Sequence, residues 1–273
     1  MIPAPFDYLR ARSADEAIAA LAEHGDDAKL LAGGMSLLPL MKLRLATPTV
    51  LVDVGRVREL SYVRDADDHL AVGALTRHRD LETSDVLAAH CAPLRTVASE
   101  VGDNQVRHRG TIGGSVSHGD PASDLPALLL ALDATFVVQG PGGERTIAAA
   151  DFFHGFLETA LEPDEVLTEI RVPKSLGAGF SYQKFQRRAQ DWPIVGAMAV
   201  RNGGTQVALV NMGGTPLRAL AVEEALAGGA SVAEAAEHAA EGTEPPGDIN
   251  ATPEYREHLA RVLVRRALEA ASA

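Results

Sequence analysis

Two glycine pairs carry hydroxyl neighbours and could do chemistry: Gly33-Gly34, followed by Met35-Ser36-Leu37, and Gly113-Gly114, set between Thr111 and Ser115. Adjacent glycines let the chain turn tightly and let a ligand approach main-chain N–H groups without meeting a Cβ. Concave runs of N–H groups bind anions. Two such loops could grip a diphosphate from both sides, which points to a dinucleotide. Asp124 lies just behind the second loop in Asp120-Pro121-Ala122-Ser123-Asp124. A carboxylate there suits the vicinal hydroxyls of a sugar or polyol chain, and equally suits a plain helix cap. Gly142-Gly143 and Gly203-Gly204 lack this setting and read as tight turns.

Neither loop matches a common nucleotide motif. The chain has no G-x-x-x-x-G-K-[ST] and no G-x-G-x-x-G behind a strand. It also has no H-E-x-x-H and no G-x-S-x-G. No catalytic side chain and no metal-ligand set is therefore expected. The single cysteine, Cys91, excludes an internal disulfide framework and an iron–sulfur cluster held by this chain alone. A formal charge of −12 over 273 residues opposes nucleic-acid binding. The short basic runs Arg107-His108-Arg109 and Arg187-Arg188 read as solvated surface. The opening Met1 to Tyr8 has neither a basic nor an apolar signal region, and the longest apolar run, 125–132, is too short for a bilayer. A cytoplasmic protein without a membrane span is expected.

The surrounding sequence supplies elements to hold these loops. Ser13-Ala14-Asp15-Glu16 reads as a capping box opening a helix that ends near Gly25. Lys29 to Ala32 reads as a buried strand delivering the chain to the first glycine loop. Thr49 to Val54 is β-branched and reads as a strand. Residues 60–64 and 69–72 form a hairpin, and 80–91 and 93–101 two helices. Glycines break 106–117, which reads as an irregular loop. Asp124 to Leu132 is apolar on every side and reads as a buried helix capped by Ser123 or Asp124. A second hairpin spans 134–148, and a strand spans 166–172. A seam of proline and glycine falls at 173–179. Beyond it come strands at 180–186, 197–201 and 206–212. Alanine-rich helices follow Pro216, with a capping box at Ser231 to Glu234 and a last helix from Pro253.

Taken together, these motifs resemble a known family. They are Ala32-Gly33-Gly34-Met35-Ser36-Leu37-Leu38-Pro39, then Gln105 through Ser115, then Asp120 through Pro126. Tyr182-Gln183-Lys184-Phe185, Arg188, Asp191-Trp192 and the closing helix extend the likeness over essentially the whole chain. It resembles the medium, FAD-binding subunit of the xanthine dehydrogenase and carbon monoxide dehydrogenase group of molybdenum hydroxylases. The resemblance implies an α+β fold. A two-subdomain, PCMH-like FAD-binding domain would span 1–174. A C-terminal domain of a three-stranded antiparallel sheet with helices would span 178–273. It places the FAD diphosphate against Ala32, Gly33, Gly34, Met35, Ser36 and Leu37, and against Thr111, Gly113, Gly114 and Ser115. It sets Asp124 at the ribityl hydroxyls, and Val101, Leu167, Lys184 and Trp192 around the flavin. Trp192 could equally be a core or interface anchor.

The same resemblance implies partners: a small subunit with [2Fe–2S] clusters, a large molybdopterin subunit, and an external electron acceptor, assembled as a dimer of heterotrimers. The chain would be the last electron relay. Two alternatives stand beside it: a free-standing FAD-dependent oxidase or reductase, and a scaffold subunit without cofactor.

Overall fold

The computed structural model describes residues 2–271; Met1, Ser272 and Ala273, at the outer limits of the two expected domains, lie outside it. The β-branched run before Asp53 forms β3 (Val50–Asp53), which pairs in parallel with both β1 (Asp7–Arg10) and β2 (Ala28–Leu31) in a sheet of order β1-β3-β2. Helix α1 (Ala14–His24) crosses over between β1 and β2. Ser13 caps it by accepting from the Glu16 N–H at 3.1 Å, while the Glu16 carboxylate accepts from Arg12 N–H rather than from the cap residue. Between β2 and the short α2 (Leu37–Lys42) runs the first glycine loop.

The hairpin β4 (Val63–Ala66) and β5 (His69–Gly73) and the hairpin β6 (Thr135–Gly140) and β7 (Gly143–Ala148) join through one long strand. That strand, β10 (Val166–Pro173), lies between β5 and β6, giving the antiparallel order β4-β5-β10-β6-β7. A small ribbon, β8 (Phe153–Gly155) with β9 (Glu158–Thr159), precedes it.

Helices fill the interval between the hairpins. The single helix expected at 80–91 is broken into α3 (His78–Glu82) and α4 (Asp85–His90), because Ser84 caps a new start on the Leu87 N–H at 3.2 Å. Then come α5 (Ala92–Ser99), α6 (Asn104–Arg109), α7 (Ile112–His118) and α8 (Asp124–Ala131). The irregular loop expected at 106–117 is thus two short helices. Side-chain caps outweigh the glycines' low helix propensity: Asp103 accepts from Val106 N–H at 2.9 Å, and Thr111 from Gly114 N–H at 3.2 Å. Every residue of α8 is buried, as its all-round apolar sequence implies. Its cap is not a side chain, since neither Ser123 nor Asp124 makes a capping bond.

After the seam, β11 (Gly179–Phe185), β12 (Val195–Arg201) and β13 (Thr205–Val210) form an antiparallel sheet. A two-residue strand, β14 (Leu217–Arg218), adds a fourth to the three read from the sequence. Helices α9 (Leu220–Ala227), α10 (Val232–Glu237) and α11 (Pro253–Ala270) follow. The Ser231–Glu234 capping box forms with both reciprocal bonds.

Alternation along β12 and β13 explains how this sheet is covered twice. Ala197, Ala199, Val207 and Leu209 join one core with α11 residues such as Leu263 and Val264. Met198, Val200, Ala208 and Val210 point to the other face and join the core built around α8 and β10. The period of two assigns neighbouring residues to opposite layers. The C-terminal sheet is consequently welded to α8, the helix that begins at Asp124.

Candidate cofactor site

The two glycine loops meet. A Cβ built on Gly33 would strike the carbonyl oxygen of Arg109 and sit 2.9 Å from Gly110 Cα, so only glycine lets these backbones touch. Arg77 ties the junction: its Nη1 donates to the Arg109 carbonyl, its Nη2 reaches the Gly55 carbonyl at 3.5 Å, and its backbone bridges Thr111. Half-burial and the neighbouring Arg109 charge lower the Arg77 pKa.

The loops differ in what their amides do. Among the described residues, the N–H groups of Gly33, Gly34, Met35, Ser36 and Leu37 donate to no protein acceptor. In the second loop Ile112 N–H donates to the Thr76 carbonyl at 3.1 Å, Gly113 to Ala74 at 2.8 Å, Gly114 to Thr111 Oγ1 and Ser115 to the Thr111 carbonyl at 3.1 Å. A Cβ on Gly113 would lie 2.6 Å from the Ala74 carbonyl oxygen, so this glycine serves helix-to-strand packing. Gly114 is exposed and Ser115 half-buried, while Thr111, Ile112 and Gly113 are buried. The N–H cradle therefore comes from the first loop. The second supplies a rigid wall and an accessible edge at Gly114 and Ser115.

One residue of this wall has no signature in the sequence. His78, at the start of α3, is 2% exposed, and its backbone N–H donates to the Gly110 carbonyl at 3.1 Å. Its Nε2 lies 3.3 Å from Ser115 Oγ, while Nδ1 has no partner. A Cβ on Gly110 would fall 2.6 Å from His78 Cδ2, so the imidazole lies flat against that glycine. Burial first, then the charges of Arg77 and Arg107, bring its pKa down to about 4, and the ring is neutral at pH 7.

A second cluster is centred on Asp124, 6% exposed at the first residue of α8. Lys184 Nζ donates to Asp124 Oδ2 at 2.8 Å and to the Glu100 carbonyl at 2.9 Å. Tyr182 donates its hydroxyl to Asp124 Oδ1. Both partners come from β11, across the seam in sequence. A carboxylate offers about four lone-pair positions, so each oxygen keeps capacity for a further donor. Burial raises the Asp124 pKa, and the Lys184 charge opposes it.

Val101 directly follows Glu100, and its carbonyl accepts from Arg107 Nη1 at 3.2 Å. Arg107 also pairs with Glu82 at 3.0 Å. It is thus a structural tie rather than the solvated charge that its basic run suggests. Arg188 does fit that expectation, with a side chain 83% exposed beside Asp191. Leu167 is 5% exposed and belongs to the core cluster that includes Ile112 and Val116. Trp192 is 56% exposed, which rules out a core role. It lines a cleft of about 470 Å³ with Asp120, Pro121 and Ala122, the turn leading to Asp124. The structure therefore joins the first loop to the second and Asp124 to Lys184 and the Val101 neighbourhood. It sets Trp192 near the Asp124 approach and leaves Leu167 in the core behind.

Unpartnered amides, a buried carboxylate with free acceptor capacity and an exposed indole fit a diphosphate, a polyol and a flat ring, the parts of a flavin dinucleotide. The fold and this site define an α+β dinucleotide-binding protein that uses neither a P-loop nor a Rossmann fingerprint. A family model described as the FAD binding domain in molybdopterin dehydrogenase matches residues 4–175, and one described as the CO dehydrogenase flavoprotein C-terminal domain matches residues 180–271. The chain belongs to this family, the FAD-binding medium subunits of molybdenum hydroxylase-type dehydrogenases, and is an oxidoreductase component whose cofactor is FAD. It is 42% identical to the carbon monoxide dehydrogenase medium chain of Hydrogenophaga pseudoflava, over 99% of this chain and 98% of that one. It is 40% identical to the medium chain of Afipia carboxidovorans, over 100% and 99%. The solved carbon monoxide dehydrogenase of Hydrogenophaga pseudoflava that lacks the Mo-pyranopterin moiety superposes with a TM-score of 0.96 at 44% identity, covering 100% of this chain and 99% of that chain. Among the described residues no helix is long and apolar enough to cross a membrane.

Proposed function

We propose that this chain is the final electron relay of a three-part cytoplasmic complex, in which a large molybdopterin subunit transforms the substrate and a small subunit carries [2Fe–2S] clusters. Residues 1–174 form its FAD-binding domain and 178–273 its C-terminal domain, and the complex is a dimer of heterotrimers. Bound FAD supplies the redox chemistry, taking electrons from the partner's clusters and giving them to an external acceptor.

The amide-lined turn from Ala32 to Leu37, abutting the second loop at Gly33, is the observation that carries this reading. Gly33, Gly34, Met35, Ser36 and Leu37 present N–H dipoles to a diphosphate without needing a lysine among them. Thr111, Gly113, Gly114 and Ser115 form the opposing wall, and Arg77 holds the two together. Asp124 accepts from ribityl hydroxyls. Lys184 places a cation near the ring system while its charge is balanced by Asp124. Val101 and Leu167 pack behind, excluding water, and Trp192 offers a flat exposed face suited to offset ring contact. No side chain of this chain acts as nucleophile or general base in this scheme, and substrate choice resides in another polypeptide.

The purified chain is expected to be yellow and to release FAD on denaturation. A colourless preparation that takes up no added FAD overturns the reading. Copurification tests the partners: a complex containing molybdenum and iron supports the relay, while turnover of a small substrate by the isolated chain supports a free-standing enzyme.

A further inference from the structure

We infer that Tyr182 is a positioning residue for the cofactor site: its hydroxyl, donated to Asp124 Oδ1, holds that carboxylate charged and fixed so that its remaining lone pairs can receive a polyol. The inference rests on the FAD reading above and adds a residue to which that reading gives no role.

The geometry is specific. Tyr182 and Lys184 stand two residues apart on β11, so the alternation of a strand puts both on one face, toward α8. Each takes one oxygen of Asp124. Gly196, on the neighbouring β12, lies beneath the phenol: a Cβ there would be 3.0 Å from the Tyr182 hydroxyl and 3.1 Å from Cε2. The absence of a side chain at Gly196 is what lets the ring lie where its hydroxyl reaches α8.

The need for such a donor follows from burial. An ionised carboxylate accepts at both oxygens, whereas a protonated one spends one oxygen as a donor. Burial favours the protonated form of Asp124, and the Glu100 charge adds to that effect. Lys184 and Tyr182 oppose it. Loss of the Tyr182 hydroxyl therefore raises the pH at which Asp124 picks up a proton, and polyol binding should fail at that higher pH.

The test is FAD titration of the full-length, deflavinated chain, followed by flavin fluorescence across about pH 6 to 9, for wild type and Tyr182→Phe. A one-unit rise in the Asp124 midpoint corresponds to a tenfold effect on the acid side, so Tyr182→Phe should bind ~10-fold more weakly near pH 6 and within ~2-fold of wild type near pH 9. A Tyr182→Phe profile parallel to wild type, even at uniformly lower affinity, marks a merely structural tyrosine and overturns the inference. Asp124→Asn serves as the second variant. In that background Tyr182→Phe should leave the pH profile unchanged, and a persisting pH-dependent effect shows action elsewhere and also overturns it. A wild-type chain that takes up no FAD at any pH overturns the FAD reading as well. Normal wild-type uptake with a parallel variant profile overturns this inference alone.

Discussion

Acidification should uncouple the second loop through His78, and the size of the effect can be worked out. The fold holds this imidazole neutral with a pKa of about 4, against a model value of 6.5. The folded state therefore binds its proton later than the unfolded chain does. The stability tied to the neutral ring is fully present above 6.5, is lost as the pH falls through 6.5, and is gone by about 4. Between about pH 7.5 and pH 5 the linkage relation gives a loss of ~2 kcal/mol from this one group. The ring is 2% exposed, so solvent screening does not reduce that figure much. The perturbation is His78→Gln, which cannot titrate but can still reach Ser115. The assay is urea unfolding at the two pH values, with an NMR titration of the imidazole beside it. Wild type should lose ~2 kcal/mol more than the variant on acidification, whatever the variant's absolute stability at neutral pH. Equal losses in the two proteins, or an imidazole midpoint near 6.5, would refute the burial argument.

Other outcomes follow from single contacts. Gly33→Ala drives a methyl into the Arg109 carbonyl, and should cost about 1–3 kcal/mol of stability along with most FAD affinity, read by calorimetry and by flavin titration. Thr111→Ala removes the cap on the Gly114 N–H and should cost about 1 kcal/mol in denaturant unfolding, whereas Thr111→Ser should keep most of it. Trp192→Ala, at an exposed site, should leave unfolding within about 0.5 kcal/mol of wild type while weakening FAD retention on dilution. A drop of several kcal/mol would show that the indole is an internal anchor after all.

The amino-acid order alone marks what local physics decides. Capping at Ser13 and Ser231, the β-branched run before Asp53, the hairpins and the all-apolar α8 are short-range patterns, and each is present in the structure. The glycine pairs and Asp124 stand out because residue type and spacing carry their meaning. Where the local signal misleads, at 106–117, glycine's poor helix propensity points to a loop. The helix forms instead because Asp103 and Thr111 cap it and Gly113 must lie against Ala74. Tertiary contact alone decided which amides stay free: those of the first loop have no partner, whereas those of the second are taken by Thr76, Ala74 and Thr111, residues that no local pattern connects to it. It also decided the neutrality of His78 and the joining of Tyr182 and Lys184 to Asp124. Charge state and hydrogen-bond satisfaction depend on what surrounds a group in space, and for these residues the surroundings come from segments far away along the chain.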